Sequence, residues 1–343
     1  DLFAADGRVE KRGQYTKVLD TLSALVDWKA LAEALNTATG REAAQPKGGR
    51  PPYPTQALVK LIVLQQLYGN LSDEDTEYAL LDRGSWQRFI ELADARDMPD
   101  ARTLWHFKNQ LAQTGSAADR FAAVQTQLNA AGLIAQGWTD DRCDDCAVTQ
   151  DALHQARKAE SCPRQDTPAL EQQASSAQRH HAHWTAKQGQ WHHGYKAHTN
   201  VDQKHKLIRR LDITPANQSD MTHFEALIDA RLERQQEGRT IHADRGYDSA
   251  ANRQTLQSYQ LRDGIARNDA RKRYDQTAIH TRNRKLSRIR ARVEHVFGAW
   301  EKVIGKSIPC VGLVRATAQI TIQAIVVNLR RWVSIDAQSG AVA

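Results

Sequence analysis

The stretch "TIHADRGYDS", residues 240–249, decides how the chain is read. A short β-prone run, Thr240 to Ala243, leads into Asp244. Arg245 and Gly246 then supply a turn, and Ser249 has the chemistry of a helix N-cap. Strand, turn and helix in that order are the unit of a layered α/β fold. A carboxylate at the strand's C-terminal end sits at the rim where such folds gather catalytic groups. The same carboxylate could equally cap its own turn, and position alone does not separate the two roles.

Around this unit the texture is mixed. "WHHGYKAHTNVD" (191–202) and "KHKLIRRLDITPA" (204–216) alternate as strands and predict a hairpin around "DQKH". A helix is expected at about 221–236, another over "SAANRQTLQSYQL" and a strand at "RDGIAR". A long helix is expected over about 284–304, and an apolar helical tail over 314–334. Upstream, residues 15–135 read as helical throughout, with "PKGGRPPYP" (46–54) as a breaker. Thr55, Ser72 and Asp100 or Thr103 are the expected N-caps. Residues 147–190, with "LEQQASSAQRHHAHW", show little apolar periodicity and are expected to be an irregular polar insert. There is no internal repeat.

Composition narrows the class. The chain has 343 residues, 41% hydrophobic and 25% charged, ordinary for a globular protein with one large or two modest domains. The best apolar window, "ALVKLIVLQQLYG", carries Lys60 and is too short to span a bilayer. The start lacks an apolar signal region and lacks Met, which predicts a trimmed or partial chain outside any secretory route. A net charge of +7 and a pI near 9.2 favour a polyanionic partner. Four cysteines in so long a chain argue against a disulfide scaffold.

A second candidate carboxylate is Glu294 in "RARVEHVFGAWEKVIG" (290–305). On a helical wheel Leu286, Ile289, Val293, Phe297, Trp300 and Ile304 form one stripe, and Glu294 lies at its edge beside Arg290. A boundary glutamate paired with Arg290 or Lys302 would give the same pattern. A basic run leads into it: Arg267, Arg271, Lys272, Arg273, Arg282, Arg284, Lys285, Arg288, Arg290 and Arg292. Such a run is a solvated face or a phosphate footprint. Two aspartates and a glutamate beside it would suit two hard divalent ions about 3.5–4 Å apart, the arrangement that serves phosphodiester chemistry.

At this point the sequence resembles the DDE-type transposases of bacterial insertion sequences, in the IS5-like group of the IS4-like class. "DWKALAEALN" (27–36), "GRPPYPTQALVKLIVLQQLYGNLSDEDTEYALLDRGSWQRFIEL" (49–92) and "MPDARTLWHFKNQL" (98–111) look like the family's helical N-terminal domain. "WTAKQGQWHHGYKAHTNVDQKHKLIRRLDITPANQSD" (184–220) looks like its first hairpin, "IHADRGYDS" its second catalytic Asp motif, and "RARVEHVFGAWEKVIG" its catalytic Glu region. The resemblance implies an α/β chain with a helical N-terminal domain (1–135) that binds DNA ends. It implies a ribonuclease-H-like mixed-sheet domain (136–310) and a C-terminal helix (311–343). It implies cleavage at element ends and strand transfer with Mg²⁺ or Mn²⁺ on Asp141, Asp244 and Glu294. Arg245, Arg284, Lys285, Arg288, Arg290 and Lys302 are then the candidate DNA contacts. The partners expected are double-stranded terminal repeats and target DNA, with a homodimer on paired ends, in the bacterial cytoplasm at the nucleoid.

The chain departs from the family at the first aspartate. There the family reads roughly Gly-Gly-x-x-Ile-Asp-Ala-Thr-Ile-Val, and this chain reads "GWTDDRCDDCAV" (137–148). Trp138–Ala147 can be encoded by the freely chosen codons TGG ACG GAC GAT CGA TGC GAC GAT TGT GCC followed by G. Read one base later they give Gly-Arg-Thr-Ile-Asp-Ala-Thr-Ile-Val-Pro, with the Asp codon straddling Arg142 and Cys143. A frameshift would therefore have removed the motif, leaving Asp141 one residue away and Asp144, Asp145 and Asp151 as looser substitutes. Impaired transposition is expected, because a one-residue slip turns a strand side chain to the other face. Two other readings remain. One is a DNA-binding remnant without catalysis. The other is a zinc-dependent DNA-binding protein using Cys143, Cys146, Cys162 and one of His180, His181 or His183.

Overall fold

A computed structural model of the chain describes residues 17–41, 51–92, 94, 97–115, 117–133, 146–156, 182–187, 190–228, 239–268, 276–305, 307–308, 310 and 312–340. They form two compact units, residues 1–130 with 328–343, and residues 131–327. Among the described residues no helix is long and apolar enough to cross a membrane.

The first unit is helical. The helices are α1 (17–25), α2 (Trp28–Thr39), α3 (Thr55–Leu67), α4 (Asp73–Asp82), α5 (Gly84–Ile90), α6 (Ala101–Gln113) and α7 (Ala117–Ala130). The single helix expected at the start breaks at Val26, and Asp27 recaps it by accepting from the Ala30 N–H at 2.9 Å. Ser72 and Asp100 cap α4 and α6 as expected, accepting from Asp75 and Thr103. Thr55 does not cap α3. Pro54 holds that place, and the Thr55 hydroxyl turns to Asn36 Oδ1 instead. Helix α3 is buried nearly all round, which explains its continuous apolar run. Its Lys60 ammonium is satisfied by Glu91 at 2.6 Å and lies over the rings of Trp28 and Phe89.

The second unit is built on a mixed sheet. Its strands are β1 (Cys146–Ala156), β2 (His183–Lys187), β3 (Gln190–Asp202), β4 (Ile208–Pro215), β5 (Thr240–Ala243), β6 (Arg262–Ile265) and β7 (Ser307–Ile308). The order is β2-β3-β1-β5-β6, with β4 also on β3 and β7 on β1. Strand β3 runs antiparallel to β1, β2 and β4, whereas β5 and β6 run parallel to β1 and to each other. Three helices complete the unit: α8 (Ala250–Ser258), α9 (Gln276–Ile304) and the start of α10 (Leu313–Gly340). The chain is therefore of mixed α/β class with a helical N-terminal part, as expected.

Two expectations fail here. The opening of the expected insert is not irregular: whereas 157–181 lie outside the described residues, residues 146–156 are β1, the central strand, flanked by β3 and β5. Its tertiary neighbours override a weak local preference. The helix expected at about 221–236 opens instead as two 3-10 turns, Asp220–His223 and Glu225–Leu227. The core beneath β5 and β6 gathers Phe224, Leu227, Ile241, Ala243, Tyr247, Leu256 and Ile265, all buried.

Candidate active site

Strand β5 delivers Asp244. Its residues Ile241 to Ala243 are buried between β1 and β6, and the strand stops at Asp244, which is partly exposed. The Asp244 carboxylate accepts from the Gly246 N–H at 2.8 Å and starts a 3-10 turn, Arg245–Tyr247. The turn-capping role and the rim position thus belong to the same side chain. One oxygen is anchored by the backbone, so the carboxylate is held in one orientation.

Below the turn the chain is buried and hydrogen-bonded. Tyr247 is fully buried, and its hydroxyl lies 3.2 Å from His198 Nδ1 on β3. The other ring nitrogen of His198 meets the Thr214 hydroxyl at 3.0 Å. His198 stacks on His223, which bonds Asp212 at 2.7 Å. Burial first, then His223 and Lys196, lower the His198 pKa to about 4, against an opposing pull from Asp212.

Gly246 is closely packed here. A Cβ there would come within 3.0 Å of Asp244 Oδ1 and 3.2 Å of Asp220 Oδ2. Asp220, from the segment "NQSD", therefore lies across Gly246 from Asp244. Lys196 of β3 holds the other Asp220 oxygen at 3.2 Å. Neither Lys196 nor Asp220 stood out in the sequence, although both fall in the segment that carries the hairpin resemblance.

The other expected site residues fare differently. Glu294 lies in α9, which packs against β1 and β5; its side chain, like that of Arg290, is outside the described residues. Phe297, Trp300 and Ile304 form the buried stripe of that helix, and Trp300 Nε1 donates to Gln323. Asp141 lies outside the described residues, as do Cys143, Cys162, His180 and His181. Among the described residues no group of three or more His, Cys, Asp or Glu side chains gathers as a metal site.

The register of β1 bears on the missing aspartate. Cys146, Ala147 and Val148 pair with Ile241, His242 and Ala243. One further step in that register brings Thr149 level with Asp244. On the β3 side the register shifts between Gln150 and Ala152, so Asp151 is the extra residue of a bulge.

The basic run divides in two. Arg267 and Arg282 are not a phosphate footprint. Arg267 bonds Asp263 at 2.8 Å, and Arg282 donates to the backbone oxygens of Ile265 and Asp263. Arg253 joins Asp248 in the same inward network. The reason is local: Asp248 and Asp263 sit beneath them and demand cations. Arg271, Lys272 and Arg273 lie outside the described residues. By contrast Arg245, Arg284, Lys285, Arg288 and Lys302 are exposed. Arg284 and Arg288 are one helical turn apart on α9, so they share a face.

Two family models match the chain. One, described as a transposase domain (DUF772), matches residues 7–110; the other, a transposase DDE domain, matches residues 161–329. The transposase for insertion sequence element IS1106 from Neisseria meningitidis serogroup B is 32% identical over 224 residues, which is 65% of this chain and 75% of that protein. No solved structure matches the chain. With a strand-end aspartate in the DDE-matched segment and a helical unit in the other, the chain belongs to the insertion-sequence DDE transposases, a family of polynucleotidyl-transferring enzymes.

Proposed function

We propose that this transposase binds the double-stranded ends of its element through residues 1–135, acts as a homodimer on paired ends at the bacterial nucleoid, and carries a ribonuclease-H-like catalytic domain over 136–310. The sheet supports the fold reading. A central strand flanked by an antiparallel meander on one side and two parallel strands on the other is the order that fold uses. Asp244 ends the first parallel strand, and α9 with Glu294 packs across β1 and β5.

The donor chemistry at Asp244 fits a hard dication: a carboxylate pre-oriented by a backbone N–H, beside a glycine whose missing side chain lets Asp244 Oδ1 and Asp220 Oδ2 come close together. Asp244 and Glu294 would hold Mg²⁺ or Mn²⁺. That ion, when bound, would favour the attacking and leaving oxygens of phosphodiester cleavage and strand transfer. The chain itself orients Asp244 through Gly246, shapes the rim with the 3-10 turn, and offers Arg245, Arg284, Lys285, Arg288, Arg290 and Lys302 to DNA phosphates.

One observation carries the rest of the reading. The β1 register runs Cys146-Ala147-Val148 against β5, and extended one step past the paired residues it sets Thr149, not an aspartate, level with Asp244. Asp141 precedes the strand by five positions. We therefore read the chain as end-binding and impaired in strand transfer, in agreement with loss of the first aspartate by frameshift. The test compares wild type, Asp141→Ala and Thr149→Asp on labelled element-end DNA with Mg²⁺. Wild type and Asp141→Ala should bind ends and cleave little, and Thr149→Asp should raise cleavage at least tenfold. Robust transfer by wild type that Asp141→Ala abolishes would overturn the reading. So would coding DNA whose codons do not permit the shifted frame.

A further inference from the structure

The ion pair of Lys196 and Asp220 has no catalytic part in the readings above, yet it lies across Gly246 from Asp244. Lys196 is 9% exposed on β3, and its ammonium donates to Asp220 Oδ1 at 3.2 Å and to the Gln218 carbonyl at 2.9 Å. Asp220 opens a 3-10 turn that packs against the turn after Asp244. Its other oxygen, Oδ2, and Asp244 Oδ1 both close on the Cβ position of Gly246, at 3.2 and 3.0 Å. The two carboxylate oxygens are therefore separated by no more than the sum of those distances. Both partners of the pair are largely withdrawn from water, with side chains 11% and 14% exposed. Charges so placed are weakly screened. The field of the Lys196 ammonium reaches His198 next door, whose pKa it helps to depress. The other carboxylate nearby, Asp212, is bonded by His223.

We propose that the Lys196–Asp220 pair sets the divalent-cation affinity of Asp244 by charge balance. Intact, the pair adds no net charge beside the site. Without the ammonium, the net charge beside Asp244 falls by one unit, and a dication binds more tightly. Without the carboxylate, the Lys196 ammonium opposes the dication, and binding weakens. One unit charge at roughly 6 Å in a partly screened setting changes cation binding by about tenfold in either direction. The pair positions charge; it does not touch the reacting atoms. The proposal rests on the reading of Asp244 as a cation ligand.

The experiment titrates the purified full chain with Mn²⁺, reads free Mn²⁺ by electron paramagnetic resonance, and repeats the titration with Mg²⁺ as competitor. Lys196→Met should tighten Mn²⁺ about tenfold and Asp220→Asn should weaken it about tenfold. The double variant Lys196→Met/Asp220→Asn should return to near the wild-type value. Lys196→Arg, which keeps the charge, should not differ from wild type, and it serves if Lys196→Met fails to fold. Asp244→Asn separates the two levels of the argument. Unchanged Mn²⁺ binding in Asp244→Asn overturns the reading of Asp244 as a ligand. Loss of binding there, with both single variants weakened alike and no recovery in the double, or with no shift in either, overturns charge balance and leaves the pair a purely structural bridge.

Discussion

Gly264 sits on β6 opposite His242, and replacing it with alanine is a stringent test of how β5 is held. A Cβ at 264 would fall 2.5 Å from the Ile241 carbonyl oxygen, 2.8 Å from His242 Nδ1 and 2.9 Å from Thr240 Cγ2. The first of these is backbone, so no rotamer change relieves it. The two strands must part by most of an ångström, an overpacking cost of about 1–3 kcal/mol. Parting also strains the bonds that bracket the pair, Arg262 N–H to Arg239 and Ala266 N–H to Ala243, at 2.8 and 2.9 Å. Losing two such bonds adds about 1–3 kcal/mol, so Gly264→Ala should cost roughly 2–6 kcal/mol, a large part of a typical folding free energy. Gly298 on α9 is the matched control. Nothing lies within 4 Å of its Cβ position, so Gly298→Ala should be neutral or stabilise by up to about 1 kcal/mol. The assay is urea denaturation of the full chain, with hydrogen exchange of peptides covering 239–266. A cost below about 1 kcal/mol for Gly264→Ala, with unchanged protection of β5, would refute the reasoning.

Two further outcomes follow from the surroundings of the site. The His198 pKa lies near 4, below the unfolded value near 6.5, so the unfolded chain takes up the proton first as pH falls. Stability should therefore drop between pH 6.5 and about 4, by on the order of 3 kcal/mol, and His198→Gln should flatten that slope in pH-dependent melting. A slope of equal size in the variant would assign the loss to other groups. Replacing Arg284, Lys285 and Arg288 with glutamine should weaken binding of any duplex and lower the salt slope by up to about three. The same triple change at Arg253, Arg267 and Arg282 should instead lower stability, because those guanidiniums serve Asp248 and Asp263. Binding isotherms at several salt concentrations and thermal melts separate the two sets.

The contrast between those two arginine sets shows what the sequence could carry. A run of cations is visible in any sequence; which of them turn inward depends on Asp248, just ahead of α8, and Asp263 on β6, which the fold sets beneath them. Where local chemistry decides, the reading held. Ser72, Asp100 and Ser249 cap their helices because a short side-chain oxygen meets an orphan N–H whatever the tertiary fold. Asp244 was legible because strand, turn and helix signals converge on it within ten residues. Strand β1 was not legible. "CAVTQDALHQA" has no run of β-branched residues, and it becomes a strand because β3 offers it a nine-residue ladder and β5 a parallel edge. The same limit hid Asp220, whose relation to Asp244 exists only through the glycine between them. A frameshift would account for both facts about β1 at once. Sequence that has lost its coding frame no longer advertises a strand, yet the intact strands on either side still present the gap a central strand fills. On that argument the sheet would outlast the motif it was built to carry, and the Asp244 rim would persist without a first carboxylate partner.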